Sequence, residues 1–268
     1  MNNPSSLMAN VIEIALQAGR AIMRVYEGEI AVQRKEDNSP LTEADMAAHH
    51  IIVNGLKAML PELPILSEES TSIPFSTRQT WSRYWLVDPL DGTREFIKRN
   101  GEFTVNIALI DQGKAVLGVV FAPAKGLLYY ADENGAFKQE PNQAAKAITA
   151  RQLNTSNVTI AGSRSHSDQR MVRFIENMQR NQIQPEIISL GSSLKICLVA
   201  EGAADVYPRL GLTSEWDTAA AQAVLEAAGG HLVDSNNQIL RYNTKDSLLN
   251  PEFFACGASQ HNWHLYLE

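Results

Sequence analysis

Two carboxylates, Asp88 and Asp91, lie three residues apart after the apolar run 84–87. Pro89 fixes its backbone angle and has no N–H, so we expect the strand formed by this run to end at Asp88. Gly92 lets a ligand approach the backbone closely, and the turn opens a short helix whose free N–H groups favour an anion. Carboxylates for a cation beside amides for an anion are typical of a metal-assisted phosphate site. The spacing alone leaves a second interpretation open, because aspartate is also common in ordinary turns.

A third carboxylate, Glu68, follows the short apolar run 65–67. Hard divalent cations such as Mg²⁺ take oxygen ligands and keep several waters. Glu68 and the two aspartates, together with the backbone carbonyl of Leu90, could therefore hold a pair of such ions.

Two further aspartates have a local interpretation and a functional one. Asp217 precedes the predicted helix 218–228. A helix N-cap there is worth about 1 kcal/mol, but a cap carboxylate can also face a cation. Asp45 lies three residues after Thr42, where it favours the positive end of a helix that Thr42 caps. The functional interpretation makes Asp45 an extra acid near the metals, and the residues alone leave the choice open.

Other polar side chains occur at positions that could contact a ligand. Thr93 could bridge a carboxylate and a water, although its spacing favours a turn or cap hydroxyl. An exposed helix face is the favoured explanation for Lys195, whereas Arg209, after a Tyr-Pro pair, is less easily explained. A loop after a predicted strand, which is where α/β sheets bind ligands, contains Arg164 and His166.

Composition excludes several classes of protein. The net charge is −7 and the pI is near 5.4, so the basic surface needed for duplex nucleic acid is missing. The two cysteines, Cys197 and Cys256, lie in apolar contexts and are expected to be buried thiols. We recognise neither a signal peptide nor an apolar run near the ~20 residues that span a bilayer. A cytoplasmic protein without a transmembrane segment is expected.

Hydrophobic periodicity divides the chain into two halves, which we predict as domains 1–145 and 146–268. The first half is predicted to contain helices 7–26 and 42–60, strands 30–33, 65–67, 84–87, 103–110, 115–121, 127–131 and 136–138, and an exposed loop 70–80. The second half is predicted to contain strands 158–161, 186–189, 204–207, 231–233 and 253–255, with helices 168–180, 192–201 and 218–228. Pro208 is expected to stop the third of these strands. The fold class is α/β (α+β), a layered α-β-α-β-α sandwich if the sheets stack.

Three motifs resemble the inositol monophosphatase-like superfamily of Mg²⁺-dependent, lithium-sensitive phosphomonoesterases, whose layered sandwich is shared with fructose-1,6-bisphosphatases. They are Glu68-Glu69, Asp88-Pro89-Leu90-Asp91-Gly92-Thr93 and Trp216-Asp217-Thr218-Ala219-Ala220. Nearly the whole chain resembles the bacterial CysQ branch, the 3′(2′),5′-bisphosphate nucleotidases, including Gly191-Ser192-Ser193-Leu194-Lys195 and Tyr207-Pro208-Arg209.

The resemblance implies a role for each candidate residue. Two or three Mg²⁺ ions would be held by Glu68, Asp88, the Leu90 carbonyl, Asp91 and Asp217, with Asp88 bridging two of them. Asp45 would lie near a further ion or pair with Thr93 to activate water. The backbone of Asp91, Gly92 and Thr93 would cradle the phosphate that is cleaved. The other phosphate would be held by Ser192, Lys195 and Arg209, and His166 would lie near the base.

The implied activity is hydrolysis of adenosine 3′,5′-bisphosphate to AMP and phosphate, with action on its sulfated relative, as part of sulfur assimilation. The hypothesis is in-line attack by a metal-activated water, which Thr93 orients with Glu68 or Asp45. Two alternatives stay open: an inositol or sugar phosphatase on the same metal core, and a non-catalytic nucleotide- or metal-binding regulator. The sequence also leaves open monomer or homodimer, and peripheral association with the inner membrane.

Overall fold

Two β-sheets organise the protein, and helices occupy three layers around them. The computed structural model describes residues 6–28, 32–34, 40–70, 73–163, 169–259 and 261–267. Within these residues there are seven α-helices and fourteen strands. None of the described helices has the length and apolar character needed to cross a membrane.

The larger sheet has seven strands in the order β3-β4-β5-β6-β7-β8-β9. Its strands are β3 (Ile65–Ser67), β4 (Arg83–Asp91), β5 (Thr104–Asp111), β6 (Lys114–Ala122), β7 (Leu127–Asp132), β8 (Gly135–Gln139) and β9 (Lys146–Ala147). From β4 onward each strand pairs antiparallel with the next, which confirms the predicted meander. Separately, β1 (Val32–Arg34) pairs antiparallel with β2 (Pro40–Thr42).

Two helices cover one face of the larger sheet. They are α1 (Ser6–Tyr26) and α2 (Glu43–Met59), close to the predicted bounds. Their apolar faces pack on each other and on β4, β5 and β6. Burial of these side chains is the main force that fixes the helices on the sheet.

The middle layer consists of α6 (Leu194–Ala200) and α7 (Glu215–Ala227). α7 lies on the second face of the larger sheet and also contacts the smaller sheet. Its approach to β6 requires glycine at 118, since an added Cβ there would lie 2.2 Å from the Ala220 carbonyl oxygen. The alanine-rich sequence of α7 therefore allows it to fit between two sheets.

The smaller sheet has five strands in the order β11-β10-β12-β14-β13. They are β10 (Thr159–Ser163), β11 (Glu186–Leu190), β12 (Val206–Arg209), β13 (His231–Asp234) and β14 (Phe253–Cys256). The outer face carries α5 (Gln169–Arg180), which buries Phe174 and Met178. The sequence of layers is thus helices, sheet, helices, sheet and helix, which confirms the predicted α-β-α-β-α sandwich.

Both strand ends predicted at prolines are wrong. β4 continues through Pro89 to Asp91, because a bulge shifts the register between Asp88 and Asp91 and leaves the residues between them unpaired. β12 likewise continues through Pro208. On one side, β12 pairs with β10 only at Val206, so Pro208 has no partner there. On the other side, Pro208 lies opposite Phe254 of β14. A proline is tolerated where its missing N–H faces no ladder partner.

The predicted exposed loop 70–80 is also corrected. It contains a short helix, α3 (Phe75–Arg78), whose Arg78 is 2% exposed. The guanidinium donates to the side chain of Asn243 and to the carbonyls of Lys245 and Asp246. A buried arginine needs such partners, and these belong to a part of the chain far away in sequence. Cys197 and Cys256 are buried and free, as predicted.

Candidate metal and phosphate site

The bulge at the end of β4 places two carboxylates at one point. Asp88 is 1% exposed, and its Oδ1 accepts a hydrogen bond from the Leu90 N–H at 3.0 Å. Asp91 follows the bulge, and its Oδ2 accepts the Ser193 N–H at 2.6 Å. The irregularity that proline and the bulge introduce therefore directs both side chains to the same side of the strand end.

α7 brings the third carboxylate. Asp217 was predicted to precede the helix, but α7 begins at Glu215, with Ser214 as N-cap and Asp217 in its first turn. The Ser214 N–H donates to Asp217 Oδ2 at 2.9 Å, so the two residues form a capping box. Ligand atoms of Asp88, Asp91 and Asp217 lie within 4.8 Å of one another.

Glu68 adjoins this acidic cluster through Asp88. β3 runs parallel to β4 with Ser67 opposite Val87, so the next residues, Glu68 and Asp88, emerge side by side. Burial raises the pKa of Asp88 well above its ordinary value, and the charge of Glu68 raises it further. Four predicted acids, Glu68, Asp88, Asp91 and Asp217, thus come from three parts of the fold.

The electrostatics of the cluster favour a bound cation. Burial raises the pKa of Asp91 to about 6, despite the opposing effect of Lys195. Burial and the charge of Asp91 also raise the pKa of Asp217 well above its ordinary range. Carboxylates that repel one another in a buried position are stabilised in the ionised form by a cation. The ligands are all oxygens, which fits a hard divalent ion better than a thiophilic one.

Gly92 and Thr93 lie at the edge of the cluster. Gly92 has φ of +90°, and an added Cβ would lie 3.1 Å from the Glu102 carbonyl oxygen. Thr93 begins the short helix α4 (Thr93–Ile97), as predicted. Its Oγ1 is 3.4 Å from Asp45 Oδ1 and 3.4 Å from the Leu90 carbonyl oxygen. Thr93 therefore lies between a buried acid and the turn that follows Asp88.

The capping interpretation of Asp45 is confirmed, and its role as an acid near the metals stays a prediction. Thr42 is the N-cap of α2, and its N–H and hydroxyl donate to Asp45 Oδ2 at 2.7 and 2.5 Å. The other oxygen, Oδ1, faces Thr93. Asp45 and Asp217 thus have the same local arrangement. Each is the acid of a capping box, accepts hydrogen bonds from its N-cap residue through Oδ2, and lies in the candidate site.

Basic residues form the opposite wall of the same cavity. Lys195 is 5% exposed, so the exposed helix face predicted for it is wrong. Its Nζ donates to the Ser192 carbonyl at 2.7 Å and lies 5.3 Å from the centre of the Tyr207 ring. Arg209 donates from Nη2 to the Leu212 carbonyl at 2.9 Å. These basic residues and Asp91, Gly92 and Asp217 line one cavity.

Two polar atoms of this wall are buried without a hydrogen-bond partner among the described residues, namely Ser192 Oγ and Arg209 Nε. Ser192 also has φ of +50°, which is unusual for a residue with a side chain. Burial lowers the pKa of Lys195 to about 8, while the charge of Asp91 opposes that change. Buried donors beside a lysine are suited to an anion.

Some residues of the site were not singled out by sequence reasoning. Ser193 holds Asp91 through its N–H, and its hydroxyl donates to Asn106 Oδ1 at 2.9 Å. Glu95 and Tyr207 line the cavity near Lys195. The pattern Ser-x-x-Asp at 214–217 was a usable signal for the capping box, whereas nothing local marks a side chain that reaches across the fold. Arg164 and His166 lie outside the described residues.

Known proteins resemble this chain over nearly its whole length. The model of the inositol monophosphatase family matches residues 3–265. The 3′(2′),5′-bisphosphate nucleotidase CysQ of Salmonella typhimurium is 50% identical over 249 residues, which cover 92% of this chain and 98% of the relative. CysQ of Haemophilus influenzae is 39% identical over 259 residues, covering 96% and 95%.

Solved structures of similar proteins have the same fold. CysQ from Bacteroides thetaiotaomicron, a bacterial member of the inositol monophosphatase family, superposes with a TM-score of 0.83 at 39% identity, covering 95% of this chain and 98% of its own. The Thermotoga maritima IMPase gives 0.80 at 25% identity, covering 98% and 96%. The acidic cluster, the layered fold and the full-length match together show that the chain belongs to the inositol monophosphatase family.

Proposed function

We propose that the protein is a 3′(2′),5′-bisphosphate nucleotidase that hydrolyses adenosine 3′,5′-bisphosphate to AMP and phosphate. The observation that carries this proposal is a pair of basic residues, the buried Lys195 and the partly buried Arg209, in the cavity that Asp91 and Asp217 also line. A phosphomonoesterase needs the cluster, but a second anion site is expected only where the substrate has a second phosphate. The relatives named as CysQ nucleotidases support the same substrate. Its sulfated relative carries the same 3′-phosphate and is proposed as a further substrate.

The proposed cofactor is Mg²⁺, as two or three ions. Asp88, Asp91 and Asp217 would hold them, since their carboxylate oxygens lie within 4.8 Å of one another, together with Glu68 and the Leu90 carbonyl. Such an ion supplies Lewis-acid stabilisation of the phosphate charge and lowers the pKa of water. The chain itself supplies the positions of the oxygens and excludes bulk water from them.

Thr93 and Asp45 are proposed to orient the attacking water. The Thr93 hydroxyl would take one proton from that water and pass its own hydroxyl proton to Asp45. Its Oγ1 lies 3.4 Å from Asp45 Oδ1. Asp45 is 1% exposed and fixed through its other oxygen by Thr42, so it is a preorganised acceptor. This contact favours the pairing of Thr93 with Asp45, and leaves Glu68 as a ligand that also lies near the substrate.

The cleaved phosphate is proposed to lie against the turn 91–93. Gly92 keeps this turn open to a ligand because any side chain there would be strained at φ of +90°. Backbone N–H groups at the start of α4 would then face the phosphate oxygens. The stabilisation of the phosphate would come from these individual N–H groups and not from a helix dipole, because α4 has only five residues.

The second phosphate is proposed to lie against Ser192, Lys195 and Arg209. Ser192 Oγ and Arg209 Nε are buried donors without a partner among the described residues, and an anion would satisfy both. A phosphate would also hold the Lys195 ammonium in the charged form. His166 is proposed to contact the base on the strength of sequence resemblance only. A substrate of this kind is an intracellular nucleotide, so we propose a cytoplasmic site of action.

Phosphate release from three substrates tests the proposal. Adenosine 3′,5′-bisphosphate, inositol 1-phosphate and fructose 1,6-bisphosphate should be compared with and without Mg²⁺ and lithium. The nucleotide should be hydrolysed with much the highest kcat/KM, and only with Mg²⁺. A preference for inositol 1-phosphate would favour the inositol phosphatase, and no release from any substrate would favour the non-catalytic regulator.

Lys195→Ala sharpens this comparison. It should raise KM for the bisphosphate nucleotide while action on a simple monophosphate stays near normal. The matched control is Lys114→Ala, which removes one exposed lysine that does not line the cavity. An equal loss on both substrates would remove the basis for the second phosphate site.

A further inference from the structure

A short stretch of chain before β14 braces the start of α7. Leu249 forms an antiparallel bridge with Ser214, the N-cap of the helix. On either side of that bridge, the Glu215 N–H donates to the Leu248 carbonyl at 2.9 Å and the Asn250 N–H donates to the Thr213 carbonyl at 2.8 Å. The cap is therefore held in a strand-like pairing and is not a free helix end.

The side chain of Asn250 adds a second set of contacts. Its Nδ2 lies 2.7 Å from the Ser214 carbonyl oxygen, 3.1 Å from Thr218 Oγ1 and 3.2 Å from Thr213 Oγ1. An amide nitrogen carries two hydrogens, so two of these three acceptors are served at a time. Asn250 is 9% exposed, which makes the loss of these hydrogen bonds costly.

These acceptors lie on both sides of Asp217 in the sequence. The Ser214 residue is held twice: its carbonyl accepts from Asn250, and its N–H donates to Asp217 Oδ2 at 2.9 Å. Thr218 directly follows Asp217. Asn250 thus contacts both Ser214, whose N–H holds the Asp217 carboxylate, and Thr218, which directly follows Asp217.

We propose that Asn250 is a positioning residue that aligns Asp217 with Asp88 and Asp91 for cation binding. The proposal rests on the cation site proposed above. Asn250 does not line the cavity between the acidic cluster and the basic wall, so it acts through the cap and not on the substrate. Outer partners that orient metal ligands typically change metal affinity by about 10- to 100-fold when removed.

α7 provides a matched control for the loss of a buried amide. Gln222 is fully buried, and its Nε2 donates to the Leu240 carbonyl at 3.1 Å and to Glu226 Oε1 at 2.7 Å. It lies more than one turn beyond Asp217, and neither Leu240 nor Glu226 flanks the acid. Its Oε1 also accepts a hydrogen bond from the Tyr242 hydroxyl, which lies 3.2 Å from Thr218 Oγ1, and Gln222→Ala leaves that contact with Thr218 in place. Gln222→Ala should therefore destabilise the same helix without moving Asp217.

The experiment measures cation binding directly. The wild type, Asn250→Ala and Gln222→Ala are stripped with EDTA, dialysed, checked for folding by circular dichroism and titrated with Mg²⁺ and Mn²⁺ by calorimetry. We expect the dissociation constant to rise about tenfold or more in Asn250→Ala and less than twofold in Gln222→Ala. Both variants should lower Tm. If Asn250→Ala does not fold, Asn250→Ser, which keeps one donor, replaces it with a smaller expected rise.

Each remaining outcome decides against the inference. Cation affinity in a folded Asn250 variant within twofold of the wild type would overturn the positioning role. An equal loss in Gln222→Ala would assign the effect to general destabilisation and overturn it as well. A wild type that binds neither ion would remove the proposed cation site itself, which distinguishes failure of the proposed function from failure of this inference.

Discussion

Replacement of Asp91 by asparagine should stabilise the ion-free protein while it abolishes most activity. Burial raises the pKa of Asp91 to about 6 from the ordinary value of 3.8. At about 1.36 kcal/mol per pKa unit, ionisation of this buried carboxylate costs about 3 kcal/mol of folding free energy at neutral pH. Asparagine has nearly the same shape and can still accept the Ser193 N–H, so the substitution removes the charge and keeps the contact.

The pH dependence of this effect has a definite sign. Because the folded pKa is raised, the native state binds more protons than the unfolded state between about pH 4 and pH 6, and the free energy of unfolding falls as pH rises through that window. Asp91→Asn lacks this decline. The difference in unfolding free energy should therefore be near zero at pH 4 and reach its full value above pH 6.

Thermal unfolding in EDTA at pH 4 to 8 measures the difference. At neutral pH the variant should melt about 5 °C or more above the wild type. Mg²⁺ should stabilise the wild type more than the variant. Glu133→Gln removes one charge from an exposed position and should leave Tm unchanged. A variant no more stable than the wild type in EDTA at pH 7.5 would refute the argument that Asp91 is held in an unfavourable ionised state.

Three further predictions concern the basic wall, the water and the layers. The kcat/KM for the bisphosphate nucleotide should fall above about pH 8 as Lys195 loses its charge, and Lys195→Arg should remove that fall. The same pH profile in the wild type and in Lys195→Arg would be evidence against this role of Lys195. Thr93→Ala should lower kcat by about 100-fold or more while Thr93→Ser retains most activity, and equal losses would argue against the hydroxyl. Gly118→Ala should lower the urea-derived free energy of unfolding by about 1–3 kcal/mol, because its Cβ would overlap Ala220. Gly28→Ala is the control and should be near neutral, because an added Cβ there would lie 3.6 Å from the Val25 carbonyl oxygen.

Local sequence patterns predicted most of the elements because their periods are direct consequences of burial. Helices α1 and α2 and the meander from β5 to β8 follow from apolar residues at helical or alternating spacing. The strand ends predicted at the two prolines were wrong because the tolerance of a strand for proline depends on the neighbouring strands in the sheet. The bulge at Pro89 is set by the pairing of Asp91 with Thr104, which no local pattern records.

The two sides of the candidate site differ in how far sequence could predict them. Motifs placed Asp88, Asp91 and Asp217 together, and the structure brings their ligand atoms within 4.8 Å. Composition could not show that Lys195 is buried, because its charge is offset by Asp91, Glu95 and Glu102 from other elements. Sequence could not predict the contacts of Asn250 with the start of α7 either, since they depend on a pairing between segments distant in sequence.

The division of the chain at residues 145 and 146 stays a prediction. β9 (Lys146–Ala147) pairs with β8, so the larger sheet extends just past that point. The cavity also combines both predicted halves, since Asp91 comes from the first and Lys195 from the second. A single cooperative unfolding transition for the full chain would favour two halves of one folding unit.

The central claim is that a cation held by the acidic cluster promotes cleavage of the 3′-phosphate while the basic wall holds the 5′-phosphate. Identification of the nucleotide released from adenosine 3′,5′-bisphosphate by EDTA-stripped enzyme, before and after addition of Mg²⁺, tests it most directly. The account predicts no product before the addition, and equal amounts of AMP and phosphate after it. Release of adenosine 3′-phosphate, or undiminished hydrolysis without the cation, would contradict the account.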